Sequence, residues 1–428
     1  MIMNSYWNKI QNQVDTRVLK EALTEENIAS SSLKKQTASQ VIEELNKSES
    51  DSDYVDDDSD GESIEYSIDY LTSPGVTDYD LSITERPEFT SFIINNINIS
   101  KRFLRYRDSI VRKAKDMKPL SFDERLVLNF IMVINENKAK PPYLLDSEWD
   151  SVIKSLESEY GTNLFDHALL NQLCSFTFER KKSRREDIIN TFEDSAIKKI
   201  LTVFNEYYGN TFSVNNLDED SFMQFTLEPL LNVIFKNEGS VVIDGSSSTL
   251  DTNSKTRKKF DPTFQGKKAD YVVSVLVEGS KKSLLINETK SMKSNVKSTC
   301  GDDSKLFNLM KNSVDDLQEY TLGNRTLGIH LEGTKMDIYS LDLKYKSLYR
   351  CYKIYSCHIP VDCNDLSRAV GVVQSLILLD THFKKIKAEV EEASVSKFST
   401  GFRLSPERTI VNLKEPSFLS PTRCPKKT

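Results

Sequence analysis

The sequence predicts an α/β protein, and three observations carry that prediction. Two short, near-continuous apolar runs, Tyr271 to Val277 (YVVSVLV) and Leu284 to Asn287 (LLIN), have the make-up of strands buried on both faces. Just past them, Leu306, Leu309, Met310, Val314 and Leu317 recur at helical spacing, and Leu327, Ile329 and Leu331 then alternate with Thr326, Gly328 and His330 as a strand does. From Pro87 to about Asn210, by contrast, the apolar positions are helical throughout.

Taken in order, residues 1–48 can form two short helices, and 49 to about 87 are acidic and polar, a composition that cannot bury enough surface to order the chain. The region 88–210 is expected to be a helical region. Ser121 and Glu124 form a capping box ahead of RLVLNFIMVI, which reads as one helix. Further helices follow around Trp149, Ile153 and Leu156, around Leu169, Leu170 and Leu173, and from Ile188 to Phe204. Lys181, Lys182, Arg184 and Arg185 form a basic cluster that suits a solvated loop, and also a nucleic-acid contact or a nuclear import signal. Phe222 to Phe235 reads as a helix bent or interrupted near Pro229. Val241 to Asp244 reads as a strand. The polar stretch from Asp244 to about Gln265 is long for a loop inside a domain and is expected to be mobile. Glu278 to Lys282 is turn-like and joins the two apolar runs into a hairpin. Met336 to Lys344 and Leu348 to Ile359 read as a second hairpin. Leu366, Ala369, Val370, Val373, Leu376 and Ile377 define a long closing helix. Residues 391–428 revert to Ser, Pro and Lys and are expected to be a disordered tail, so a folded domain is bounded at 211–390.

Composition excludes several function classes. No run approaches the ~20 apolar residues of a membrane helix, and the N-terminal MIMNSYWNKIQNQVD lacks the apolar core of a signal peptide. The six cysteines show no CxxC pair and read as reduced thiols of an intracellular protein, nuclear or cytoplasmic. Cys351, Cys357, His358 and Cys363 cluster as zinc ligands do, but structural zinc spacings are tighter, which favours ordinary strand positions. No Gly-rich phosphate cradle appears, no serine or cysteine nucleophile has a convincing partner, and His167, His330, His358 and His382 lie in unrelated contexts. The net charge of −7 conceals two opposed regions. Residues 49–69 hold ten acids and no Lys or Arg, and without them the net charge becomes +3. Residues 251–300 hold eleven Lys or Arg against five acids. Such a surface attracts a phosphate backbone. The acidic run would shield it in the absence of nucleic acid, or serve only as a solubilising linker.

The charged residues at the strand ends give the basic region its chemistry. Asp270 opens the first apolar run, and Glu288 and Lys290 close the second. Side chains two apart on a strand share a face, so Glu288 and Lys290 point the same way, and antiparallel pairing brings Asp270 beside Glu288. Carboxylates and water are the ligands Mg²⁺ takes. A bound Mg²⁺ can generate hydroxide and offset charge on a phosphate, and a lysine beside it can orient the attacking water.

Asp270 followed eighteen positions on by Glu288-Thr289-Lys290 resembles the PD-(D/E)xK nuclease superfamily, the restriction-endonuclease-like fold, with Ala269 where the family signature has proline. Six lysines follow an acid at this spacing (after Asp116, Glu136, Glu179, Glu288, Asp303 and Asp342), and only Glu288 ends a buried run preceded by another headed by an aspartate. The resemblance covers about residues 215–360. It implies a core of helix, three antiparallel strands, helix and strand, giving a central mixed sheet flanked by helices behind the helical N-terminal region. It also implies Mg²⁺- or Mn²⁺-dependent cleavage of DNA or RNA. Asp270 and Glu288 would be metal ligands and Lys290 the water-orienting residue. An acid on the first core helix would be a third ligand: Glu219 stands ten residues before Pro229, a spacing similar to that of a group of uncharacterised fungal proteins, and Glu228 is the rival. Lys255, Arg257, Lys258, Lys259, Lys267 and Lys268 would clamp the backbone. The alternative is a nuclease-like fold with an idle site, acting as a nucleic-acid- or protein-binding, effector-type module.

Overall fold

The computed structural model describes residues 91–399, except 117, 119, 137–138, 162–164, 208–216, 237–238, 246–247, 250–266, 291–295 and 319–324. The expectations for residues 1–87, for 250–265 of the loop from Asp244 to Gln265 and for the tail beyond 399 lie outside the described residues; Ser248 and Thr249 of that loop form a short strand.

The described part is α/β, a seven-stranded mixed sheet flanked by helices. It begins with a two-residue-stranded hairpin, β1 (Ile93–Ile94) and β2 (Ile97–Asn98). Helices α1 (Ile99–Lys115) and α2 (Phe122–Leu128) follow, then strand β3 (Ile131–Ile134). Four helices come next: α3 (Asp146–Tyr160), α4 (His167–Phe178), α5 (Lys182–Thr191) and α6 (Ser195–Tyr207). Helix α7 (Glu219–Phe235) leads to β4 (Val241–Asp244), the short pair β5 (Ser248–Thr249) and β6 (Lys268–Ala269), β7 (Tyr271–Val277) and β8 (Ser280–Lys290). Helix α8 (Val296–Leu317) crosses to β9 (Arg325–Glu332), which continues into β10 (Lys335–Tyr345) and β11 (Leu348–His358). A 3₁₀ turn (Cys363–Arg368) opens the closing helix α9 (Ala369–Ser399).

The strand order is β3-β11-β10-β9-β8-β7-β4. Pairings β4–β7, β7–β8, β9–β10 and β10–β11 are antiparallel, whereas β8–β9 and β11–β3 are parallel. Parallel neighbours need a crossover, and α8 supplies the one between β8 and β9. The β7–β8 turn is only two residues, Glu278 (φ +52°) and Gly279 (φ +74°). Positive φ at both positions matches the twist of the flanking strands, and β8 therefore starts at Ser280, earlier than the apolar run alone shows.

Helix α8 packs over β8, β9 and β10 on one face with α2 behind it; α9 crosses the other face beside α6 and α7. Gly328 on β9 lets α8 approach: a Cβ there would lie 2.4 Å from Met310 Sδ. One hydrophobic core runs through the described residues, from Phe92 to Val390. None of their helices is long and apolar enough to cross a membrane.

Two sequence expectations are corrected. RLVLNFIMVI is not one helix: α2 stops at Leu128, and Ile131 to Ile134 form β3 at the edge of the sheet, parallel to β11. The buried Arg107 explains the break. Its Nε donates to the Leu128 carbonyl (3.0 Å), its guanidinium lies over the Phe130 ring, and Phe130 takes φ +64°. The helical region thus contributes a strand to the sheet. The tail does not begin at 391, because α9 continues to Ser399, with Val390 buried and Glu391 accepting from Ser240 Oγ (2.9 Å). Residues 387–395 are rich in Ala, Glu and Lys, which favour a helix. Phe222 to Phe235 is helical as expected, with Pro229 inside α7. Elsewhere Arg185 leaves the basic cluster to bond Asn205 (2.8 Å) in the interior, while Lys181, Lys182 and Arg184 are exposed at the start of α5. Cys351, Cys357 and His358 are strand positions on β11.

A buried polar knot fastens α3 to the far end of the sheet. Arg350 grips Asp342 through Nε (2.9 Å) and Nη2 (2.7 Å), Tyr160 Oη donates to Asp342 (2.9 Å), and Ser340 Oγ donates to Tyr160 (3.2 Å). Removing one partner of such a pair leaves an uncompensated buried charge, at a cost of about 3–5 kcal/mol. Asp342→Asn is therefore expected to lower urea-unfolding stability by ~3 kcal/mol or more; a change within error would make this pair ornamental.

His382 on α9 stacks obliquely beside Tyr160. Burial, with the positive charges of Arg325 and Lys385, pulls its pKa from 6.5 to about 4. The folded protein resists protonating this ring while the unfolded chain does not. Its stabilising contribution is thus complete above pH 6.5 and is lost as pH falls toward about 4. His382→Gln should flatten the decline in chemical-denaturation midpoint across that window; an unchanged slope would assign the acid sensitivity elsewhere.

Candidate active site at the end of strand β8

Strand β8 is buried from Leu284 through Thr289, so its polar side chains are held by packing on both faces. Asn287 and Thr289 face α7: Asn287 Nδ2 bonds Thr289 Oγ1 (2.8 Å), and both lie against Met223. Tyr271, paired with Asn287, reaches Asn232 on the same helix. Glu288 and Lys290 alternate with these residues and belong to the face under α8.

Asp270 directly precedes β7, whose first residue, Tyr271, pairs with Asn287 next to Glu288 on β8. Its backbone N–H donates to the Asn287 carbonyl (3.1 Å), and its carboxylate accepts from the Thr289 N–H (2.6 Å). Burial raises the Asp270 pKa against the opposing pull of that bond and of Lys305 and Lys290, and Asp220 adds to the rise. Lys290 is therefore close enough to act on Asp270 electrostatically.

Glu288 is 2% exposed. Its carboxylate meets the ammonium of Lys305, in the middle of α8, at 2.6 Å. Sequence reasoning missed Lys305 as a site residue, although it is the lysine of the Asp303 match; no strand or helix period tells which acid a helical lysine will reach.

Glu219 is the first residue of α7, and its side chain lies outside the described residues. Among the described residues, the charge of Asp220, beside it in the first turn, reaches Asp270. Asp218 caps the helix by accepting from the Ser221 N–H (2.8 Å). Glu228 acts instead on Tyr271. Of the basic residues, Lys267 and Lys268 immediately precede Asp270, with Lys268 exposed on β6, while Lys255, Arg257, Lys258 and Lys259 lie outside the described residues.

The polar row continues across the sheet. Glu288 pairs in register with His330, His330 with Asp337, and Asp337 with Ser356. Burial drives the Asp337 carboxyl up, but Lys353, the Ser356 hydroxyl and Lys335 outweigh it and hold the pKa below the usual range.

Among the described residues no group of three or more His, Cys, Asp and Glu side chains gathers to hold a metal. The donor set on hand is two carboxylates, Asp270 and Glu288. Mg²⁺ keeps several of its waters and is commonly held through one or two carboxylates plus substrate phosphate, so two oxygen donors suit it. A buried carboxylate already matched by a cation at 2.6 Å is also a place where positive charge is stabilised. Comparison of the chain with protein-family models, curated proteins and solved structures finds no match.

Because burial disfavours the charged Asp270, its ionised form weakens the fold above its ordinary pKa. Asp270→Asn keeps an oxygen for the Thr289 N–H and removes the charge, so it should raise Tm at pH 7, by on the order of a degree or two. Glu288→Gln, which leaves Lys305 without its counter-charge, should lower Tm. The opposite order in differential scanning calorimetry would show that the two carboxylates have been assigned the wrong roles.

Proposed function

We propose that this protein hydrolyses phosphodiester bonds in nucleic acid with the help of a divalent cation. The observation that carries the reading is the hydrogen bond from the Thr289 N–H to the Asp270 carboxylate, at the end of the buried strand whose neighbouring residues are Glu288 and Lys290. The order of elements supports it. Helix α7, antiparallel β4, β7 and β8, crossover helix α8 and parallel β9 form the sequence of elements expected of a restriction-endonuclease-like core.

In this reading Asp270 and Glu288 hold Mg²⁺ or Mn²⁺. A cation so held supplies a water of lowered pKa and positive charge for the phosphate. Lys290 holds the attacking water or a phosphate oxygen, and the Thr289 N–H fixes the Asp270 carboxylate at the required edge. Lys267 and Lys268, with Lys255, Arg257, Lys258 and Lys259 before them, give the approach a positive field that attracts the backbone whatever its sequence.

One observation favours a second reading. The Lys305 ammonium already neutralises Glu288, as it would in a fold whose site is idle and which only binds nucleic acid or a protein partner.

A mixed panel of single- and double-stranded DNA and RNA separates the two. Cleavage should require Mg²⁺ or Mn²⁺ and fall by about 10²-fold or more in Glu288→Gln and Lys290→Ala. Binding should survive both substitutions and weaken with salt. Salt-sensitive binding with no cleavage in either metal would establish the second reading, and cleavage untouched by both substitutions would move the chemistry elsewhere.

A further inference from the structure

We infer that Lys305 is a built-in counter-cation that competes with the divalent metal for Glu288, so that metal enters only as Lys305 withdraws. This regulation rests on the cation-site reading above.

The contrast with the other buried ion pair of the sheet carries the argument. Arg350 grips Asp342 through two nitrogens, is 1% exposed, and is flanked by Phe92 and Tyr345 rings, while Tyr160 fixes the same carboxylate from a third element. That pair is locked from every side. Glu288 is matched instead by a lysine, a point charge on a flexible four-carbon stem. The Lys305 side chain retains 24% of its exposure while Glu288 retains 2%. The ammonium thus belongs to a side chain that stays partly exposed while the carboxylate it meets does not. The carboxylate must keep a positive partner at all times or pay for desolvation. Lys305 also acts on Asp270 more strongly than Lys290 does. Its charge thus acts on both carboxylates, and both are donors that a divalent cation would use.

Two cations cannot share one small oxygen site, because like charges at contact distance repel strongly in a poorly hydrated environment. Metal binding therefore includes the work of displacing Lys305, which weakens metal affinity and keeps the carboxylates paired when metal is scarce. The withdrawn lysine would lie beside the bound metal, within the same positive field that attracts a phosphate backbone.

Lys305→Met keeps the stem and removes the charge. Mn²⁺ titration by calorimetry should show at least about tenfold tighter binding in Lys305→Met than in the wild type, and Mn²⁺ should raise the Tm of the variant more than that of the wild type. Lys305→Arg should restore weak binding. Wild-type protein provides the check that does not depend on a variant folding: amine-specific labelling read by mass spectrometry should modify Lys305 faster in saturating Mn²⁺ than without it. Equal Mn²⁺ affinity in wild type and Lys305→Met, no Mn²⁺ binding by either, or Lys305 labelling that Mn²⁺ leaves unchanged overturns the inference. Tighter Mn²⁺ binding by Lys305→Met without any cleavage upholds this competition while removing the nuclease reading. Metal-dependent cleavage with equal affinities does the reverse.

Discussion

A carboxylate buried in the middle of a sheet has to be answered by positive charge, and much of the architecture around Glu288 follows from that constraint. Strand β8 is covered on both faces, by α7 and α8, and Glu288 is only 2% exposed. Helix α8 must come close enough for Lys305 to touch it. The close approach is made possible at Gly328, which leaves the groove on β9 that Met310 fills. The parallel β8–β9 crossover then sets which turn of α8 lies over which strand position. Packing, topology and charge thus agree on a single placement of one lysine.

The same region is where the fold gives up stability. Asp270 is held partly out of water with its pKa raised, although an amide or an apolar residue there would cost less. The polar row through His330 and Asp337 continues the pattern into strands whose neighbours are otherwise apolar. At the opposite end of the sheet, buried charge is spent on fastening α3, and there each atom of the Asp342 carboxylate is tied down. One end is built to hold, and the other keeps a partner that can leave.

How much of this was legible in the sequence depended on the range of the interaction. Strand parity and hairpin spacing are local, so the pairing of the two apolar runs as a hairpin is legible from the residues alone, and Tyr271 pairs with Asn287 as that hairpin requires. The helices and hairpins after residue 300 were equally plain, because their apolar periods are uninterrupted. The break between α2 and β3 was not legible: it depends on Arg107, more than twenty positions away, reaching the Leu128 carbonyl and stacking on Phe130. For the same reason Lys305 is not legible as a partner of Glu288, since which acid a helical lysine reaches is decided by packing. The end of α9 lies beyond residue 391 because the helix-forming Ala, Glu and Lys between residues 387 and 395 outweigh the serines that follow.

The central claim is that the end of β8 is a cation site built from Asp270 and Glu288. A crystal soaked in Mn²⁺ and measured at the manganese edge tests it most directly. The account predicts an anomalous peak at about 2.1 Å from carboxylate oxygens of both residues, with the Lys305 ammonium moved away from Glu288. A fully soaked crystal with no peak there, and with Lys305 still seated on Glu288, would contradict it.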